Sequence, residues 1–166
     1  MKLDLSIYRD LFVNLIETND PTVIQNNSPA HARIIIQELV RHAQESVHIL
    51  CTHFSRTVYD DPAIQNAITD AINRGVAVHI AVRDNFPQAA EFFVRLQTCR
   101  PENCEYLAGI QANSNALGND FCVVDSRRYR LERDQQKGTA FVCANDPTIS
   151  DRLVRWFRVS TATQVA

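Results

Sequence analysis

A chain of 166 residues, 45% of them hydrophobic, has the size of one domain and enough apolar sequence for a core of its own. Its formal net charge of −2 excludes a protein that coats nucleic acid over its whole surface, because such proteins are strongly basic, and leaves any such contact to a local arginine patch. The five cysteines, Cys51, Cys99, Cys104, Cys122 and Cys143, are odd in number and share no repeated spacing, which argues against a disulfide framework and for a reducing compartment.

The opening residues MKLDLSIYRDLF carry Asp4, Arg9 and Asp10 where a secretory leader would be apolar. No run has the length that spans a bilayer, so the expectation is a cytoplasmic protein without a membrane segment. Ile7, Tyr8, Leu11, Phe12, Leu15 and Ile16 recur at helical spacing and predict a first helix within residues 3–17. Ser28 as N-cap and Pro29 at the first helical position start a second, with Ala32, Ile35, Ile36, Leu39 and Ala43 on one face. Residues 47–51, VHILC, read as a short strand. Asp61-Pro62 repeats the cap-and-proline signal, apolar residues follow at helical spacing from Ile64 to Ile72, and Gly75 closes that helix. Residues 76–82 are almost continuously apolar, as in a strand buried on both faces. Strand, helix and strand make a βαβ unit with parallel strands.

Beyond it the pattern predicts a helix over 87–98, a strand over 105–108 and a Gly, Asn and Ser-rich loop over 109–118. Strands at 121–124 and 129–132 flank a turn at Ser126-Arg127, and a strand at 139–144 precedes a last helix that starts at Asp146-Pro147 and carries Ile149, Leu153, Trp156 and Phe157.

This order, with AINRGVAVHIAVRD followed by FCVVDSRRYRLE, resembles one half of the phospholipase D-like phosphodiesterase fold over residues 29–160. The resemblance implies an α/β domain with a mixed, largely parallel sheet flanked by helices. An extra N-terminal helix within residues 1–20 would precede it, and residues 1–166 would form a single domain. It also implies the motif H-x-K-x4-D, in which the histidine attacks phosphorus, the lysine neutralises the phosphate and the aspartate helps hold the site. Matching the aspartate to Asp125 puts Gly118 at the histidine position and Asp120 at the lysine position. All five histidines, His31, His42, His48, His53 and His79, precede this segment, so no small shift restores one. The resemblance is thus to a degenerate half that binds rather than cleaves. Halves of this fold pair two-fold, which implies a homodimer or another protein partner.

In open parallel sheets ligands sit beyond the carboxyl ends of the strands. His53, Arg56 and Tyr59 follow the strand at 47–51, Arg83 follows the strand at 76–82, and the hairpin adds Asp125, Arg130 and Glu132. These seven are the candidate ligand- or phosphate-binding residues. The planar fork of arginine suits phosphate, and histidine titrates near neutral pH. Each has a plainer structural role as well. Arg56 and Arg83 have Asp60, Asp61 and Asp84 nearby for pairing, and the hairpin arginines interleave with acids as on a solvated edge. His48 and His79, inside apolar strands, are expected to satisfy one buried hydrogen bond each. The sequence points to no cofactor and no metal: the four glycines form neither G-x-G-x-x-G nor a P-loop. Two other functions stay open, a diverged phosphodiesterase or nuclease using His53 with Arg56 and Arg83, and a small-molecule-sensing α/β domain.

Overall fold

Asp4 caps the first helix through its carboxylate, which accepts the Ser6 N–H at 3.0 Å. From there α1 (Leu5–Glu17) turns Tyr8, Phe12, Leu15 and Ile16 inward. The computed structural model describes residues 4–53, 56–84, 90–110, 119–134 and 136–162. After α1 come β1 (Val23–Asn26), α2 (Pro29–Arg41), β2 (Ser46–Cys51), α3 (Arg56–Tyr59), α4 (Pro62–Asn73), β3 (Ala77–Val82) and α5 (Ala90–Cys99). Then follow β4 (Cys104–Ala108), β5 (Phe121–Val124), β6 (Arg128–Asp134), β7 (Thr139–Cys143) and α6 (Pro147–Ala162).

The caps work as the sequence suggests. Ser28 Oγ accepts the His31 N–H at 3.2 Å, and the Asp61 carboxylate accepts the Ala63 N–H at 2.8 Å. Gly75, at φ 89°, takes the left-handed conformation that closes α4.

The strands form one mixed sheet in the order β1-β7-β6-β5-β2-β3-β4. Parallel pairing is confined to β2, β3 and β4, and the four other pairings are antiparallel. The mixed α/β sheet flanked by helices is the expected one. It is not largely parallel, however, since antiparallel pairings outnumber parallel ones four to two: short connections make β5–β6 and β6–β7 antiparallel, and β2–β5 and β1–β7 add two more between strands far apart in sequence. Strand β1 was not among the expected elements. Four residues with the burial run exposed, intermediate, exposed, buried carry too little periodicity to be seen alone.

The strand order, with β7 paired to β6, changes the place of the hairpin. The β5–β6 turn was expected to present a solvated edge, but β6 is interior, between β5 and β7. Arg128 and Arg130 are accordingly buried, at 9% and 7% exposure. The turn is tight: Asp125 and Ser126 have φ of 54° and 48°, Arg127 N–H bonds to Val124 O at 3.1 Å, and the ladder closes at Val124 and Arg128 across three residues.

Two cores sandwich the sheet. On one face, α1, α2, α4 and α5 bring Phe12, Ile35, Leu39, Ile68 and Phe93 against Ile49 and Ile80. On the other, α6 brings Leu153, Val154 and Phe157 against Leu50, Phe121, Val123 and Tyr129. β2 is thus covered on both sides, which is why its sequence does not alternate. The first helix docks on α2, where Arg9 and Arg41 pair with Glu38, a carboxylate with no exposed surface. All five cysteines are free thiols.

Candidate functional site

Where β2, β5 and β6 approach α2 and α3, the fold leaves a cleft of about 320 Å³. Ala32 and Ile36 of α2 form one wall, Cys51 and Cys122 lie at the bottom, and His53, Tyr59, Asp120, Arg130 and Glu132 supply the polar groups. Alternation along the strands explains the set. Cys122 faces Arg130 across the β5–β6 ladder, and Glu132, two residues on, points to the same side.

Arg130 is held from behind. Its Nε donates to Asn26 Oδ1 at 2.7 Å, and Asn26 Nδ2 donates to Gly138 O at 2.9 Å. Its Nη1 lies 3.7 Å from Glu132 Oε2. Burial raises the Glu132 carboxyl above the usual carboxylate range; Arg130 opposes that shift and Asp120 adds to it.

Asp120 is equally committed. Its Oδ1 accepts the Thr52 N–H at 2.8 Å and the Thr52 hydroxyl at 2.9 Å. Arg83 Nη1 lies 3.6 Å from the same oxygen and donates to Thr52 Oγ1 at 3.0 Å. Each carboxylate of the cleft is therefore matched by a guanidinium, Glu132 by Arg130 in the lining and Asp120 by Arg83 behind it, and the local charge nearly cancels. The thiols at the bottom are inert at neutral pH: burial pushes Cys122 up to about 12 and Cys51 well above its ordinary value. Burial likewise holds the Tyr59 hydroxyl protonated.

His53 stands at the mouth, with a side chain 74% exposed and Nδ1 3.4 Å from Asp84 Oδ2. Asp125 is elsewhere. It sits at the far end of β5 from Asp120, roughly 16 Å away at about 3.3 Å per residue. There its carboxylate accepts the backbone N–H groups of Gln44, Glu45 and Ser46 at 2.8–3.2 Å and pairs with Arg128 at 3.3 Å. This ties the α2–β2 loop to the hairpin.

Of the candidates, then, His53, Tyr59, Arg130 and Glu132 meet at the cleft, Arg83 backs it through Asp120, and Asp125 is apart. Arg56 opens α3, but its side chain lies outside the described residues, as does Gly118. Sequence reasoning missed Asn26 and Thr52. Neither carries a local signal, because each acts on a partner 68 or more residues away. The two strand histidines also differ from each other. His79 Nδ1 lies 2.9 Å from Glu105 Oε2, so it is bonded as expected, but at an exposed edge rather than in the core. His48 Nδ1 is buried with no hydrogen-bond partner among the described residues. Its ring stacks on His79, with centroids 4.7 Å apart, and meets the edge of Phe157.

No family model matches the sequence, and no curated protein matches it. Solved structures do. The chain is similar to Nuc from Salmonella typhimurium, a phospholipase D family member, with a TM-score of 0.61, 18% identity, and 86% of this chain and 95% of that chain covered. It is similar to NucT from Helicobacter pylori, with a TM-score of 0.59, 13% identity, and 85% and 96% covered. It is also similar to TrmBL2, an archaeal chromatin protein whose structure shows a novel mode of DNA binding, with a TM-score of 0.67 and 15% identity. That match covers 95% of this chain, which spans 59% of the length of TrmBL2. The likeness is one of fold: the sheet and its helices are arranged as in phospholipase D family members.

Proposed function

We propose that residues 1–166 form a single phospholipase D-like domain that lacks the catalytic histidine and lysine of that fold's enzymes and works by binding. The observation that carries this is Asp120. A lysine at that position would bring positive charge to a phosphate, whereas Asp120 brings a carboxylate already bonded to Thr52 and paired with Arg83. A phosphate entering the cleft would meet Asp120 and Glu132 as well as Arg130, and the two carboxylates offset the attraction. The proposed partner is a protein chain, first a second copy of this one. Nucleic acid comes second, supported by the DNA binding of TrmBL2.

A second function keeps the cleft catalytic. His53 at the mouth would act with Arg56 and Arg83 as a diverged phosphodiesterase, and the support for it is that His53 shares the cleft with Arg130. One assay separates the two: turnover of bis-nitrophenyl phosphate, DNA and RNA, beside molar mass by light scattering. The binding role predicts no turnover and a mass above one chain. Robust turnover abolished by His53→Ala would establish the enzyme instead. A small-molecule sensor, which the cleft's volume also suits, predicts a rise in melting temperature with a small ligand and no change in mass.

A further inference from the structure

The helix α6 packs on the sheet face opposite to α2, away from the cleft, and spends its apolar side there. Its outer side exposes Arg152, Arg155 and Arg158. At three-residue spacing these span roughly 9 Å of helix axis and an arc of about 120°. Arg133 of β6 joins them on that face, with its guanidinium 5.2 Å from the centre of the Phe141 ring. Phe141 packs in the same cluster as Trp156 of α6. Among the described residues no carboxylate pairs with any of these four arginines. Of the acids near them in sequence, Asp151 is exposed on the same arc and Asp134, next to Arg133, pairs with Lys137. A chain with net charge −2 therefore gathers a local excess of positive charge on one helix.

We propose that this face of α6, with Arg133 beside it, docks on the sugar-phosphate backbone of duplex DNA without reading its sequence. Each guanidinium offers phosphate two parallel hydrogen bonds. The span of the stripe matches about two to three phosphates of one strand at ~3.4 Å of rise each. Single strands are held by aromatic platforms on which bases stack, whereas Trp156 and Phe141 here are packed against the sheet. A membrane surface takes up a helix by its apolar side. That side of α6 is already buried, and Val159 is the large apolar residue it exposes among the described residues. The proposal holds whether the cleft binds or hydrolyses, because the two lie on opposite faces of the sheet.

The test is fluorescence anisotropy of a labelled mixed-sequence duplex against the full chain, over a salt series. The expected result is binding whose log K falls with log salt at a slope of about −3, from 0.9 per phosphate contacted. The triple variant Arg152→Gln, Arg155→Gln, Arg158→Gln should bind at least ten times more weakly, with a flatter slope and an unchanged melting temperature. Arg133→Gln should give a smaller loss. Absence of binding at low salt, unchanged binding by the triple variant, or tighter binding to a single strand, to RNA or to anionic vesicles would overturn the proposal.

Discussion

Asn26 and Arg130, 104 residues apart in sequence, meet as acceptor and donor at 2.7 Å with Asn26 wholly buried. The contact exists because β1 pairs with β7, the neighbour of β6, which puts the Asn26 side chain within reach of the long Arg130 side chain. Removing one partner of a buried, charge-assisted hydrogen bond leaves the other unsatisfied, at a cost of about 1–3 kcal/mol or more. Asn26→Ala is therefore expected to lower stability by roughly 2–3 kcal/mol. Urea unfolding should show a lower midpoint with the same slope, and a variant as stable as the parent would mean that water replaces the asparagine.

Asp125 gives the contrast between a support and a site. Its carboxylate serves Gln44, Glu45, Ser46 and Arg128 and is distant from the cleft. Asp125→Ala should cost roughly 2–3 kcal/mol, since three backbone donors lose their acceptor, while leaving any ligand affinity of the cleft intact. Asp120→Ala should change cleft binding as well as stability, because its carboxylate lines the cleft and serves Thr52 and Arg83. Calorimetric binding and denaturant midpoints on the same two variants decide between these patterns.

His48 makes stability depend on acid. Burial first, then the charges of His79 and Arg158, push its folded-state value down to about 4 from 6.5. The neutral ring is thus favoured in the folded chain, and its contribution is full above pH 6.5. It is lost as pH falls from there toward 4, by about 3 kcal/mol at ~1.4 kcal/mol per pH unit. His48→Phe should flatten this slope. Melting temperatures from pH 7 to pH 4 measure it, and equal slopes in the two proteins would remove His48 as the cause.

Thiol chemistry follows burial. Cys51, Cys104, Cys122 and Cys143 are at most 3% exposed, while Cys99 is exposed. Burial also pushes Cys104 up to about 11 and Cys122 up to about 12. Iodoacetamide at neutral pH should add one group to the folded protein, at Cys99, and five after unfolding. Mass spectrometry of the native adduct checks this, and a native adduct at Cys51 or Cys122 would show that the cleft opens.

Much of the fold was legible in local pattern. Ser28-Pro29 and Asp61-Pro62 announce their helices because a cap acts within three residues. The unbroken apolar run at 76–82 announces a strand covered on both faces. The candidate site was legible in part. His53, Tyr59, Arg130 and Glu132 were named from their places beside strand ends and on the hairpin, and they meet at one cleft. Asp125 was named on the same grounds and stands at the other end of β5. Motif spacing says which residues are near in sequence, and an extended strand carries its two ends about 3.3 Å further apart with each residue.

By itself, then, the sequence determined the five longer helices, the caps at Ser28, Asp61 and Asp146, the parallel βαβ unit, and the acid at position 120 where a phosphate-cleaving motif would want a base. Each of these depends on neighbours within about one turn of helix or a few strand residues. Only the tertiary structure decided that β6 is interior, that Asn26 and Thr52 hold the cleft's arginine and aspartate, and that the arginines of α6 face outward together. Those facts depend on strand order and on which side of a helix the sheet covers, and no local period records either one.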